Sequence, residues 1–173
     1  VGFHGIQVRG EQGASRVVIH GVRIVDTGQQ LIKGSTDGGG RHADEGLIAC
    51  STLEYTDHAP SDYTNGIDVL AGNDWIVRDN TIRNVRGVPD GAFKSGPAIL
   101  FWANSRGTVV ERNFVVDSFR GIAFGIGPGA SEGLARDHEL FYDHQGGAIR
   151  NNVVVNLNPW ADEGIEANAA GPV

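Results

Sequence analysis

Methionine is absent from the 173 residues, cysteine occurs once and lysine twice, and no apolar run approaches the length that crosses a bilayer. A single cysteine, Cys50, excludes an internal disulfide framework and any multi-cysteine metal site, and is expected to be a small core residue. No basic-then-apolar leader opens the chain, so neither a membrane span nor a secretory leader is read in this segment. The chain begins at Val1 and stops at Val173, just after the start of another strand-like stretch, as an excerpt of a longer protein would. No Lys/Arg run is present either. With 21 acidic against 14 basic residues and a formal charge of −7, nucleic acid is not an expected partner. Two glycine-rich stretches, TDGGGRH (36–42) and GIAFGIGPG (121–129), contain neither GxxxxGK[ST] nor a complete GxGxxG between a strand and a helix, so tight turns are their expected role.

The residues that are present describe a soluble chain that turns often. A hydrophobic content of 40% is ordinary for a globular protein, and the length suffices for one domain, 1–173, with a real core. The 26 glycines are about twice the average usage and follow no triplet period, which excludes collagen.

Internal repetition is the strongest signal. RVVIHGVRIVDTG (16–28), GLIACSTLEYTD (46–57), TVVERNFVVDSFRG (108–121) and GAIRNNVVVNLN (147–158) all lie over the stretch around WIVRDNTI. Each places one apolar residue, then a variable one three positions on, then another apolar two further. The triplets are Ile19/Val22/Ile24, Ile48/Ser51/Leu53, Val77/Asn80/Ile82, Val110/Asn113/Val115 and Ile149/Asn152/Val154. A second family of short words comprises GIQV (5–8), LIKG (31–34), GIDV (66–69), AILF (98–101), GIAF (121–124) and GIEA (164–167), recurring at roughly 23 to 43 residues. Short strands bounded by Gly and Asn also occur in sandwiches and antiparallel barrels. Those folds do not require the same order of motifs in every repeat, whereas here the order never reverses. The expectation is an all-β solenoid whose coils stack like on like, with parallel strands about 4.8 Å apart. Asn80, Asn113 and Asn152 would then superpose in an amide ladder, which offsets the cost of burying each polar group.

These repeats resemble those of right-handed parallel β-helices of the pectate-lyase-like superfamily, over nearly the whole chain from GIQV to GIEA. The words NGIDV, DWIVRDNTIRN, GPAILFW, GTVVERN, RGIAFGIG and DHQGGAIRNN resemble bacterial proteins described as right-handed parallel β-helix repeat-containing. The resemblance implies a right-handed parallel β-helix of about five to six coils, part of a longer helix. It further implies a secreted, periplasmic or cell-surface location and a polysaccharide or oligosaccharide partner. The architecture serves lyases, hydrolases, epimerases and non-catalytic binding proteins alike, so activity must be argued from the site.

With the Ile of each second-family word pointing inward, the next residue points out. That outward column is Gln7, Lys33, Asp68, Leu100, Ala123 and Glu166. Long connections at about 34–45 and 125–146 would wall a trough running over Lys33, Asp68, Leu100 and Trp102, suited to an extended polymer. Lyases of the resembling superfamily abstract the proton next to a uronate carboxylate, which needs a base and a neutralising cation. Lys33 or Arg120 is the candidate base, Arg41 or Lys94 the carboxylate partner, and Trp102 a platform for a sugar face. The alternative is that Lys33 is a solvated ladder residue paired with Asp68 one coil above, since a single surface lysine is usually just that. Asp68 itself is placed to handle a proton or to bind Ca²⁺ together with Asp44, Glu45 and Asp57, or with Asp37 and Asp62. His42, His58 and His144 stand beside carboxylates on the long connections and are general acid/base candidates. DHELFYDH fits no known zinc pattern. A hydrolase would need two carboxyls at roughly 5–9.5 Å. Asp68 and Glu166, three coils apart at roughly 14 Å, do not supply them. The expected activity is a polysaccharide lyase acting on an acidic glycan, with a non-catalytic glycan-binding or scaffold β-helix and a glycoside hydrolase as the alternatives.

Overall fold

The chain must bend between the two short strands of each repeat, and it does so at one backbone position per coil. Gly21, Cys50, Asp79, Arg112 and Asn151 occupy this position with φ of 67°, 53°, 58°, 53° and 56°. A left-handed residue cannot continue a strand, so each apolar word is cut into three-residue pieces. In the computed structural model, residues 3–58, 61, 63–86, 95–127, 136, 142–157 and 163–168 are described.

Coil one comprises β1 (Ile6–Arg9), β2 (Val18–His20) and β3 (Arg23–Val25), and coil two β4 (Gln30–Ser35), β5 (Leu47–Ala49) and β6 (Thr52–Glu54). Coil three comprises β7 (Asn65–Leu70), β8 (Ile76–Arg78) and β9 (Thr81–Arg83). Coil four has β10 (Pro97–Trp102), a two-residue β11 (Ser105–Arg106), β12 (Val109–Glu111) and β13 (Phe114–Val116). Coil five has β14 (Arg120–Phe124), β15 (His144–Gln145), β16 (Ala148–Arg150) and β17 (Val153–Val155), and β18 (Ile165–Ala167) follows.

Each strand pairs in parallel with its counterpart one coil away. The sheets run β1-β4-β7-β10-β14-β18, β2-β5-β8-β12-β16 and β3-β6-β9-β13-β17, with β11-β15 as a short fourth. No α-helix occurs among the described residues, and a 3-10 turn spans Gly10–Gln12. Three parallel sheets side by side, each gaining one strand per repeat, are consistent with a β-helix or solenoid.

The register is the one the repeats imply. Ile6, Ile32, Ile67, Ile99, Ile122 and Ile165 follow one another along the long-strand sheet. Ile19, Ile48, Val77, Val110 and Ile149 do so in the second sheet, and Ile24, Leu53, Ile82, Val115 and Val154 in the third. The middle members of all three columns meet in one buried core. Burying each such side chain contributes about 1.5–3 kcal/mol before chain entropy is subtracted. Close stacking leaves no room at some backbone positions: a Cβ on Gly66 would lie 2.2 Å from the Ala98 carbonyl oxygen.

The polar column is equally regular. Asn80 Nδ2 donates to Asn113 Oδ1 at 3.0 Å and Asn113 Nδ2 to Asn152 Oδ1 at 3.0 Å, while each amide also donates to a carbonyl of the preceding coil, Ile48, Val77 or Val110. Ser51 takes the same place in coil two, where its backbone N–H donates to Asn80 Oδ1.

One expectation is corrected. Cys50 is exposed, because it stands at the left-handed bend rather than on an inward strand position. Trp75 is fully buried, its ring 6.0 Å from that of Phe101 and its Nε1 donating to the Ala43 carbonyl, so it packs the core and has no face for a sugar.

Candidate functional site

The alternation of β7, NGIDVL, sends Ile67 and Val69 inward and Asp68 to the opposite face, and the ladder places Lys33 and Leu100 on either side of it. All six residues of β7 are nevertheless buried. Asp68 is only 1% exposed, and it reaches that state with both oxygens occupied: Lys33 Nζ donates to Oδ2 at 2.8 Å and Trp102 Nε1 to Oδ1 at 2.8 Å. A carboxylate tolerates burial only when paired and hydrogen-bonded in this way. The Lys33 side chain is 14% exposed and Leu100 is buried. The open trough expected over Lys33, Asp68, Leu100 and Trp102 is therefore closed at its floor.

A cavity of about 190 Å³ remains beside this pair, between Tyr63, Asn65, Asp68, Gly96, Trp102 and Arg120. Tyr63 lies just before β7 and Asn65 begins it, whereas Trp102 ends β10 and Arg120 begins β14. Three successive coils thus contribute to one wall. Burial pushes the Tyr63 phenol up, the Asp68 charge adds to that shift and a hydrogen bond from Gln30 opposes it, so Tyr63 presents an O–H at neutral pH. His4 lies close enough to the pair to feel both of its charges. Burial lowers its pKa, the Lys33 charge lowers it further, and the Asp68 charge and Gln30 oppose the shift, leaving a neutral imidazole near the ion pair. Arg120 faces Glu163 Oε2 at 3.1 Å and Glu166 Oε2 at 3.9 Å.

Of the residues singled out from the sequence, the structure brings together Lys33, Asp68, Trp102 and Arg120. The others stand apart. Arg41 is exposed and pairs with Asp37 on its own loop. His42 is buried, with Nδ1 2.9 Å from the Thr36 hydroxyl, and His58 is exposed. His144 is buried with its ring stacked on Phe124, centroids 3.9 Å apart, and its Nε2 3.1 Å from Thr108 Oγ1. Lys94 and Asp62 lie outside the described residues.

The acidic set proposed for Ca²⁺ is dispersed. Asp44 receives Arg136 on both oxygens, at 2.8 and 2.7 Å, together with the Asn73 backbone N–H at 2.9 Å. Burial alone would raise its pKa, but the Arg136 guanidinium and the Asn73 amide outweigh that and hold the carboxyl below its ordinary range. Glu45 is exposed, and Asp57 is exposed with Arg86 against it at 2.6 Å. Among the described residues no three His, Cys, Asp or Glu side chains form a group that could hold a metal ion.

Tyr63, Asn65 and His4 were not singled out from the sequence. The available signal was position: Tyr63 and Asn65 immediately precede the GIDV word and so stand at the edge of the strand that carries Asp68. No protein-family model, no curated protein and no solved structure matches the chain.

Proposed function

We propose that the chain is a right-handed parallel β-helix of the pectate-lyase-like kind whose long-strand sheet binds a saccharide unit in the cavity beside Asp68. The observation that carries this reading is the pairing of two aromatic residues, Tyr63 and Trp102, with the carboxylate of Asp68 around one small opening on the sheet face. Aromatic faces cover the apolar C–H surface of a sugar ring, while fixed acceptors take its hydroxyls. Trp102 is held in place by its own bond to Asp68, which lowers the ordering cost on binding.

Binding without turnover is the leading form of this reading. Both candidate bases, Lys33 and Arg120, already face carboxylates. A lyase is the second reading, favoured by one observation: the Lys33 ammonium and the Asp68 carboxylate stand 2.8 Å apart, a ready donor and acceptor for a proton. Titration calorimetry of the chain against a panel of neutral and acidic oligosaccharides tests the binding. Exposed Tyr63 offers the cleanest variant, and Tyr63→Ala is expected to weaken a bound saccharide about tenfold. No heat with any saccharide would end the reading. Following the same mixtures for unsaturated uronate products, with and without Ca²⁺, tests the lyase, and reducing ends released without unsaturation would indicate a hydrolase instead.

A further inference from the structure

We propose that the cavity beside Asp68 receives an uncharged, hydroxyl-bearing sugar unit rather than a uronate, with Asn65 Oδ1 and the Asp68 carboxylate as the acceptors that select it. The inference rests on the saccharide-binding reading and goes beyond it by fixing the chemical class.

Asn65 is the starting point. Its side chain lines the cavity, the residue is only 4% exposed, and Oδ1 has no hydrogen-bond partner. A buried acceptor left unmade costs about 1–3 kcal/mol, which a ligand hydroxyl recovers on binding. Gly96 leaves room for that amide: a Cβ there would stand 2.4 Å from Asn65 Nδ2 and 2.6 Å from Oδ1, so any side chain at this position displaces the amide. The neighbouring acceptor is Asp68. A carboxylate offers about four lone-pair sites, and Lys33 and Trp102 take one on each oxygen, leaving capacity toward the cavity.

The charges on the wall favour a neutral guest. The Lys33 charge is matched by Asp68 and the Arg120 charge by Glu163 and Glu166. A uronate carboxylate would face Asp68, and Arg120, the cation among the described lining residues, already stands against Glu163 and Glu166, in a chain of formal charge −7. At about 190 Å³ the space is below the roughly 300–1,000 Å³ of drug-sized ligand pockets, which suits one ring rather than a run of them.

The test is calorimetric titration of the protein with gluco-, galacto- and manno-oligosaccharides and with oligomers of the corresponding uronic acids. One neutral series is expected to bind at least about tenfold more tightly than its uronate counterpart, the scale of one lost charge-matched contact. Asn65→Leu is expected to weaken that neutral ligand about tenfold, with a thermal melt confirming the fold. If Asn65→Leu does not fold, Gly96→Ala decides, because it displaces the amide without removing it, and the same weakening is expected. A uronate bound as tightly as its neutral counterpart would overturn the selectivity while leaving the saccharide site standing. Neutral binding unchanged in both variants would overturn the role of Asn65. No binding by any sugar would remove the reading and the inference together.

Discussion

His144 illustrates how one residue type serves structure where chemistry was expected. Its ring is stacked on Phe124, and burial lowers its pKa from 6.5 to about 4. The unfolded chain therefore takes up a proton in a pH range where the folded chain does not, so folding stability is lost as pH falls from about 6.5 toward about 4. His144→Gln removes this dependence. Urea midpoints near neutral pH and at about pH 5 are expected to differ less in the variant than in the parent, and equal differences would show that burial of this ring is not linked to folding. Cys50 makes the complementary case. As a lone cysteine it is expected to be a small core residue, but the period of the inward positions breaks at the bend, where Cys50 has a φ of 53° and faces solvent. A non-glycine residue in that conformation carries about 1–2 kcal/mol of strain. Cys50→Gly is accordingly expected to stabilise the chain by up to about 1 kcal/mol, the gain being reduced by the freer unfolded backbone, as a rise in urea midpoint would show.

At the level of the strand and its turn, the sequence was most readable where an element repeats. The offsets Val77/Asn80/Ile82 and Val110/Asn113/Val115 predict the observed register because a parallel stack aligns equal positions, so one column of like residues identifies the others. Asn113 is the middle rung. It accepts from the Asn80 N–H and Nδ2, and donates to the Val77 and Glu111 carbonyls. Replacing it by Leu would leave several buried groups unmade at once, with an expected loss of about 3 kcal/mol in urea unfolding. Asn152→Leu is expected to cost less, since Asn152 is only partly buried and water can reach the groups it leaves. An equal cost at both positions would argue against the ladder as the source. The outward column was legible for the same reason: Lys33, Asp68 and Leu100 are register neighbours as the words imply. What the repeat did not disclose is that this face is covered. Tyr63 and Gly96 come from connections and Asn65 from the strand end that follows one, and nothing periodic records where connections of unequal length settle.

Across the whole molecule, contacts between coils are almost all with the next coil, as in any stacked repeat, and stability in such a stack is approximately a sum of neighbour terms. The rungs of the amide ladder join residues 33 and 39 apart in sequence. Arg136 departs from this pattern. It binds Asp44, 92 residues earlier, and donates to the Ala71 carbonyl at 2.8 Å, so Arg136 is tied to coils two and three directly. Asp44 is a candidate calcium ligand in the sequence because it lies on a connection adjoining Asp68, while the residue that holds it lies far along the chain and is not found by spacing. Asp44→Ala would remove the carboxylate to which both terminal nitrogens of the Arg136 guanidinium donate. The pair is 12% and 20% exposed, so the expected loss is about 2 kcal/mol, below the roughly 3–5 of a fully buried pair. The carboxyl is held below its ordinary value of 3.8, so this contribution is present above that pH and fades as pH falls through the folded value. If the pair couples distant coils, Asp44→Ala should also lower the urea m-value or split the transition into two. A variant that loses stability with an unchanged single transition would instead confine the pair to a local role.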